Sequence, residues 1–272
     1  MRFAIPLLLA TFIGLAADPG KAAAHEFWIA PEDYTLDDGA AIVANLRVGQ
    51  MFSGSSFAYL PRNFRRFEMM AGDAAAPVEG RLGDLPALNA APPGAGLVVI
   101  VHESAENLLR WNDWEIFTAF VAHKDFPWAI KDHHDRGLPE TGFRESYTRY
   151  AKSLVAVGDG AGSDRAVGME TEIVALANPY TDDLAAGMPV KVLYQGKPRM
   201  NAQVEVFARA PDGSVADLFY RTDMEGRALI PVMPGTEYLF DAVVMRPLAG
   251  SIKDDTPVWE SLWASLTFRT PD

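Results

Sequence analysis

The chain has 272 residues, 49% hydrophobic and 22% charged, the composition of a folded protein with a substantial core rather than of a disordered or collagen-like one. Its 22 Gly and 19 Pro punctuate it too often for a helical bundle and favour short strands. With 24 basic and 36 acidic residues the formal charge is −12, which argues against a nucleic-acid binder with a dominant basic face and suits a cation.

In chain order, residues 1–24 read as a secretory signal. Met1-Arg2 gives a basic start, Phe3 to Ala17 an apolar stretch, and Ala22-Ala23-Ala24 the small residues before a cleavage site. Cleavage would fall before His25, leaving 248 residues in the periplasm. The apolar stretch is shorter than the roughly 20 residues a span requires, and no later segment supplies a transmembrane helix. Absence of cysteine removes disulfides, thiolate ligands and a lipid-anchored cysteine together, so the fold must rest on core burial.

Ala41 to Val48 alternates in the manner of a half-buried strand; Phe64 to Met70 and Leu97 to His102 are further strands, the latter apolar enough to be buried on both faces. Asn112-Asp113-Trp114-Glu115 offers a helix cap, with Trp114, Phe117, Phe120 and Val121 at helical spacing behind it. A second short helix between Pro127 and Gly137 carries His133 and His134, so a helical insertion of about 112–137 interrupts the strands. Tyr147 to Val157 is read as a strand ending at Gly158, and the stretch from Gly158 to Arg165 as a linker. Seven short strand signals then follow up to Phe268. The expected fold is mainly β: an N-terminal β-rich domain over 25–160 with the helical insertion, and a β-sandwich over 169–272, both sandwich-like.

Several phrases carry a family resemblance. His25-Glu26-Phe27-Trp28, Tyr59-Leu60-Pro61 with Arg66-Phe67-Glu68, Glu79 to Asp84, Gly142-Phe143-Arg144-Glu145 running into Tyr147 to Lys152, Leu176-Ala177-Asn178-Pro179-Tyr180 and Trp259-Glu260-Ser261-Leu262-Trp263 resemble the NikM-like periplasmic family, across essentially the whole mature chain. That family is formally of unknown function and is associated with nickel or cobalt uptake. The resemblance implies two β-rich domains, the second similar to transthyretin-like or carboxypeptidase-regulatory sandwiches, and a membrane importer or outer-membrane receptor as partner.

The candidate metal ligands are His25, His102 and His123. Cleavage before His25 would set a free α-amine beside its imidazole, a chelating pair for Cu(II) or Ni(II) that one further His completes as a histidine brace. His102 closes a buried-type strand beside Glu103 and is the first choice for that second His. His123 ends a helix, where a cation also complements the helix dipole. His133 and His134 point about 100° apart and do not chelate one ion. Glu145, Arg149 and Lys152 with Tyr147 and Tyr150 make an anion site or, more simply, a ladder of cross-strand ion pairs. No nucleophile elbow, phosphate loop or dinucleotide fingerprint is present.

The resulting expectation is a non-enzymatic periplasmic protein that captures Ni(II), Co(II) or Cu(II) for a membrane uptake system. Two alternatives stand beside it: a brace-type copper oxidase acting on polysaccharide, and a metal-free sandwich module for interaction or carbohydrate binding through Trp111, Trp114, Trp259 and Trp263.

Overall fold

The computed structural model describes residues 25–272; the secretory segment expected over 1–24 lies outside the described residues. The first half of the chain contains β1 (Glu26–Pro31), β2 (Thr35–Leu36), β3 (Ile42–Gln50), β4 (Ser53–Phe57), β5 (Phe64–Ala71), β6 (Ala74–Pro77), β7 (Leu88–Ala90), β8 (Gly96–Ser104) and β9 (Asn107–Trp111). Helices α1 (Trp114–His123) and α2 (Trp128–Asp135) follow, then β10 (Phe143–Val157), β11 (Thr171–Ala175), β12 (Met188–Tyr194), β13 (Lys197–Pro198), β14 (Gln203–Arg209), β15 (Val215–Arg221), β16 (Arg227–Ile230), β17 (Glu237–Pro247) and β18 (Trp259–Arg269). The chain is thus mainly β with a two-helix insertion, as its punctuation implied.

A ten-stranded sheet forms the middle layer, in the order β15-β14-β17-β18-β10-β8-β5-β6, with β2 and β9 also pairing with β10. The long strands β10, β17 and β18 are buried on both faces because each face has a cover. On one face, the alternate residues Phe240 and Ala242 of β17 and Leu262, Ala264, Leu266 and Phe268 of β18 pack with Ile173, Val190 and Val192 of the β11-β12-β13-β16 sheet. On the other face, Ala151, Val155, Val98 and Ile100 meet Phe27, Ile29 and Leu46 of the β1-β3-β4-β7 sheet. Farther along that second face, Val243, Met245, Trp259 and Trp263 meet Phe117, Phe120 and Val121 of α1. Period-two alternation in the strands and 3.6-residue spacing in α1 therefore bury complementary stripes.

The middle sheet is continuous across the two halves of the sequence, because β10 pairs in parallel with β18 from Glu145↔Trp259 to Ser153↔Thr267. The glycine-rich stretch joining β10 to β11 is pinned against this sheet. Lys152, fully buried, donates from Nζ to Asp164 at 3.1 and 3.2 Å and to the Arg165 carbonyl at 2.8 Å, with Glu172 at 3.2 Å. Asn178 Nδ2 donates to the carbonyls of Gly160 and Gly162. Two carboxylates around one ammonium, with backbone partners filling the remaining sites, is the arrangement that makes a buried charge tolerable.

Glu145 lies at the centre of the helix-covered region and is fully buried. It accepts from Trp111 Nε1 at 2.8 Å and from Ser261 Oγ, which itself accepts from Trp263 Nε1 at 2.8 Å. Burial pushes its carboxyl up to about 7, against the downward pull of the Ser261 and Trp111 donors. A carboxyl raised above its unfolded value binds more protons when folded, so its contribution to stability grows as pH falls through about 7. His102, held neutral in the fold with a value near 3, costs stability as pH drops through the ordinary histidine range, and Asp241 and His123 also titrate near neutrality. These contributions are common to the native chain and a Glu145 variant and cancel in their difference. Between pH 8 and 6.5 the unfolding free energy of the native chain should rise by roughly 1 kcal/mol relative to Glu145→Gln. Urea denaturation at the two pH values measures this; parallel slopes for the two proteins would contradict it.

Candidate functional site

Four elements converge where the β1 sheet gives way to the helices on the same face of the middle sheet. Strand β1 is bound by β3 on one edge, and on the other its Phe27 and Ile29 carbonyls accept from Ser265 Oγ at 2.7 Å and Thr267 Oγ1 at 2.8 Å. Helix α1 starts at Asp113, whose carboxylate accepts from the Glu115 and Ile116 amides at 2.9 and 3.1 Å, as an N-cap should. It ends at His123 with Lys124 as its C-cap, and the chain turns away at Asp125, in the left-handed region at φ 68°. The Gln203 amide donates to the terminal His123 carbonyl at 2.8 Å, and Arg221 donates to Asp125 at 2.7 Å. These contacts aim His123 and Lys124 at β14 and β17.

The Lys124 ammonium is buried among three carboxylates. Nζ donates to Glu26 Oε1 at 2.8 Å, to Glu205 Oε2, and to Asp241 Oδ2 at 3.0 Å, and it lies 4.9 Å from the centroid of the Trp263 ring. Burial alone would discharge it, but the charges of Asp241, Glu26 and Glu205 outweigh that and hold it strongly protonated. Burial pushes Asp241 well above the usual carboxylate range, Lys124 pulling the other way and Glu26 and Glu205 adding to the rise. Burial also opposes ionisation of Glu205, yet the His123 hydrogen bond and the Lys124 charge win and keep it below its ordinary value. Glu26 Oε2 and Asp241 Oδ1 have no hydrogen-bond partner among the described residues. The three carboxylates offer oxygens within 4.8 Å of one another, a spacing that fits a cation; the ammonium already occupies their centre.

Above this cluster opens a cleft of about 560 Å³, lined by His25, Glu26, Glu115, Phe120, His123 and Lys124 among others. His123 Nε2 lies 2.7 Å from Glu205 Oε1. That hydrogen bond raises its pKa, burial opposing the rise. In the neutral ring the bond fixes the proton on Nε2 and leaves the Nδ1 lone pair free. His25 and His123, two of the three candidate ligands, thus share one cleft.

The structure puts His102 elsewhere, in a cavity walled by Phe27 and Phe64, with ring centroids 4.9 Å from Phe27, 5.6 Å from Phe64 and 5.2 Å from Phe67. Burial, then the nearby Arg149 charge, lowers its pKa to about 3. His133 is fully buried, accepting from Trp259 Nε1 at 3.0 Å through Nδ1 and bonded to the Pro139 carbonyl through Nε2 at 2.9 Å, a packing role. Glu145, Arg149 and Lys152 do not converge: Glu145 faces Trp111, Arg149 Nη2 donates to the His25 carbonyl, and Lys152 serves Asp164 on the opposite face. Trp111, Trp259 and Trp263 are buried, which removes them from any exposed sugar platform. Sequence reasoning did not single out Lys124, Glu205 or Asp241. Glu205 and Asp241 are charged residues at inward positions of otherwise apolar strands, and that break in alternation was the available signal.

Replacing Lys124 by Met strands three carboxylates in a dry site and should cost about 3–5 kcal/mol. The deficit should shrink from pH 8 to pH 6 as Asp241, whose pKa is raised, takes up a proton and relieves the repulsion. Denaturant midpoints of both proteins at the two pH values check this; a loss below about 1 kcal/mol would show that the cluster is solvated.

Among the described residues no helix is long and apolar enough to cross a membrane. No curated protein matches the sequence. Among solved structures, the D0-D1 domain of intimin is 16% identical over 90% of this chain and 98% of that chain, with a TM-score of 0.20. A tetra-tandem repeat in the extending region of a large adhesion protein is 11% identical, over 89% of this chain and 49% of that chain, with a TM-score of 0.18. Residues 22–246 match the model of the family described as a domain of unknown function, DUF4198, and the chain belongs to that family.

Proposed function

We propose that this is an exported, non-catalytic protein that captures a divalent transition metal, Ni(II), Co(II) or Cu(II), in the cleft between β1 and α1, and passes it to a membrane uptake system. The observation that carries the reading is that His25 and His123 line the same cleft, with His123 held by the buried carboxylate of Glu205. A carboxylate on one ring nitrogen orients the imidazole and raises its basicity, which is the usual support behind a metal-ligating histidine. The ion would sit outside the carboxylate trio, because Lys124 fills that position. Removal of residues 1–24 would add a free α-amine to the His25 imidazole, and a net charge of −12 favours cation approach. Nickel or cobalt as the cargo agrees with the NikM-like resemblance.

Calorimetric titration of chain beginning at His25 with each metal tests the reading. One saturable site is expected. His25→Ala and His123→Ala should each weaken it, and His102→Ala, in its separate cavity, should leave affinity unchanged. The His123 pKa is raised by its bond to Glu205, so protons compete sooner than for an ordinary imidazole, and affinity should fall as pH drops through a point above about 6.5. Absence of saturable binding, or binding indifferent to both His25 and His123, would overturn the proposal.

A further inference from the structure

The cavity that holds His102 lies apart from the metal cleft and has about 120 Å³ of space. Its wall is mixed, with Phe27, Leu46, Phe64 and Tyr147 beside Asn63, Ser104 and Asn107, and Phe57 at its rim is 43% exposed. Two further side chains there, His102 and Arg149, carry nitrogens without a partner among the described residues. His102 is 3% exposed, and its Nδ1 has no hydrogen-bond partner among the described residues. Arg149 spends one N–H on the His25 carbonyl at 3.0 Å, while its buried Nε has no partner among the described residues. Its guanidinium carbon sits 4.9 Å from the centroid of the Tyr147 ring and 5.9 Å from that of Phe27.

Arg149 is half-buried, and among the described residues no carboxylate lies within ion-pair distance of it, Glu26 and Asp241 acting on its charge only from farther off, in contrast to the fully buried Lys124 and Lys152, each of which is paired directly. A guanidinium has five donors in a rigid fork matched to a carboxylate, and it stays charged at neutral pH. Partly withdrawn from water and with no carboxylate in direct contact, such a group keeps donors free for an anion. We propose that this cavity binds a small monocarboxylate with an apolar body, its carboxylate on Arg149 and His102 and its body among Phe27, Phe64 and Tyr147. The space available is close to that of the roughly 150 Å³ apolar cavity known to hold one benzene molecule, which sets the upper size of the body at about one ring. Burial keeps His102 uncharged, with a value near 3, so it donates one N–H as a neutral imidazole and Arg149 supplies the charge.

The test uses chelator-treated protein at pH 7.5, so its outcome is independent of any metal. Benzoate and butyrate are the probes, and benzyl alcohol is the uncharged control of the same body. We expect one saturable calorimetric site for at least one of the two acids, with benzyl alcohol weaker by about tenfold or more, the loss expected when a charged hydrogen bond is missing. Arg149→Met should weaken the acid by a similar factor. Should that variant not fold, NMR of the native chain decides: the His102 ring signals and the Arg149 Nε–H signal should shift along the same saturation curve as the heat. No binding of either acid, equal binding of benzyl alcohol, or saturation that leaves both signals unmoved would each overturn the proposal.

Discussion

One ammonium ties together four elements that are far apart in sequence. Lys124, at the end of α1, reaches Glu26 on β1, Glu205 on β14 and Asp241 on β17, at separations of 98, 81 and 117 residues. None of these groups is stable in its position without the others: three carboxylates need the cation, and the cation needs them to offset burial. The cluster therefore fixes where α1 lies against the middle sheet, and with it the walls of the cleft that holds His25 and His123. Trp263, Phe120 and Phe117 supply the apolar packing around it, so the polar contacts set orientation while burial of aromatic surface supplies most of the driving force.

The same residue type takes three different states according to what surrounds it. His102, boxed by phenylalanines and near Arg149, is held neutral. His123, against a carboxylate at the surface of the cleft, gains affinity for a proton. His133, stacked on Trp259 with an interplanar angle of 10° and bonded through both nitrogens, serves as a rigid spacer between the helices and β18. Counting histidines in the sequence cannot separate these states, because the partners that set His123 and His133 apart, Glu205 and Trp259, lie 82 and 126 positions away, where loop closure and not local pattern brings partners together.

Much of the fold was legible locally. The apolar run of β8, the capped periodicity of α1 and the alternation of β3 follow from period and capping alone, and the helix expected behind the Asn112–Glu115 cap spans Trp114–His123. Strands β4 and β6 were not legible, because Ser53–Phe57 is a polar, exposed run and Ala74–Pro77 lacks β-branched residues; partners, not propensity, make them strands. The parallel pairing of β10 with β18, which carries the middle sheet across the sequence, leaves no local trace either. Of the candidate site, His25 and His123 were readable as residues, whereas their shared cleft and the Lys124 cluster beneath it arise only from the tertiary arrangement.

X-ray absorption at the metal edge of protein loaded with one equivalent of nickel is the most direct test of how the cleft and the ammonium cluster divide the chemistry. With Lys124 keeping its three carboxylates, the ion should show a nitrogen-rich shell with the multiple scattering of two imidazoles, lost in part in His123→Ala. An all-oxygen shell would mean that the metal had displaced the ammonium and settled among Glu26, Glu205 and Asp241, contradicting a cluster in which Lys124 is the resident cation.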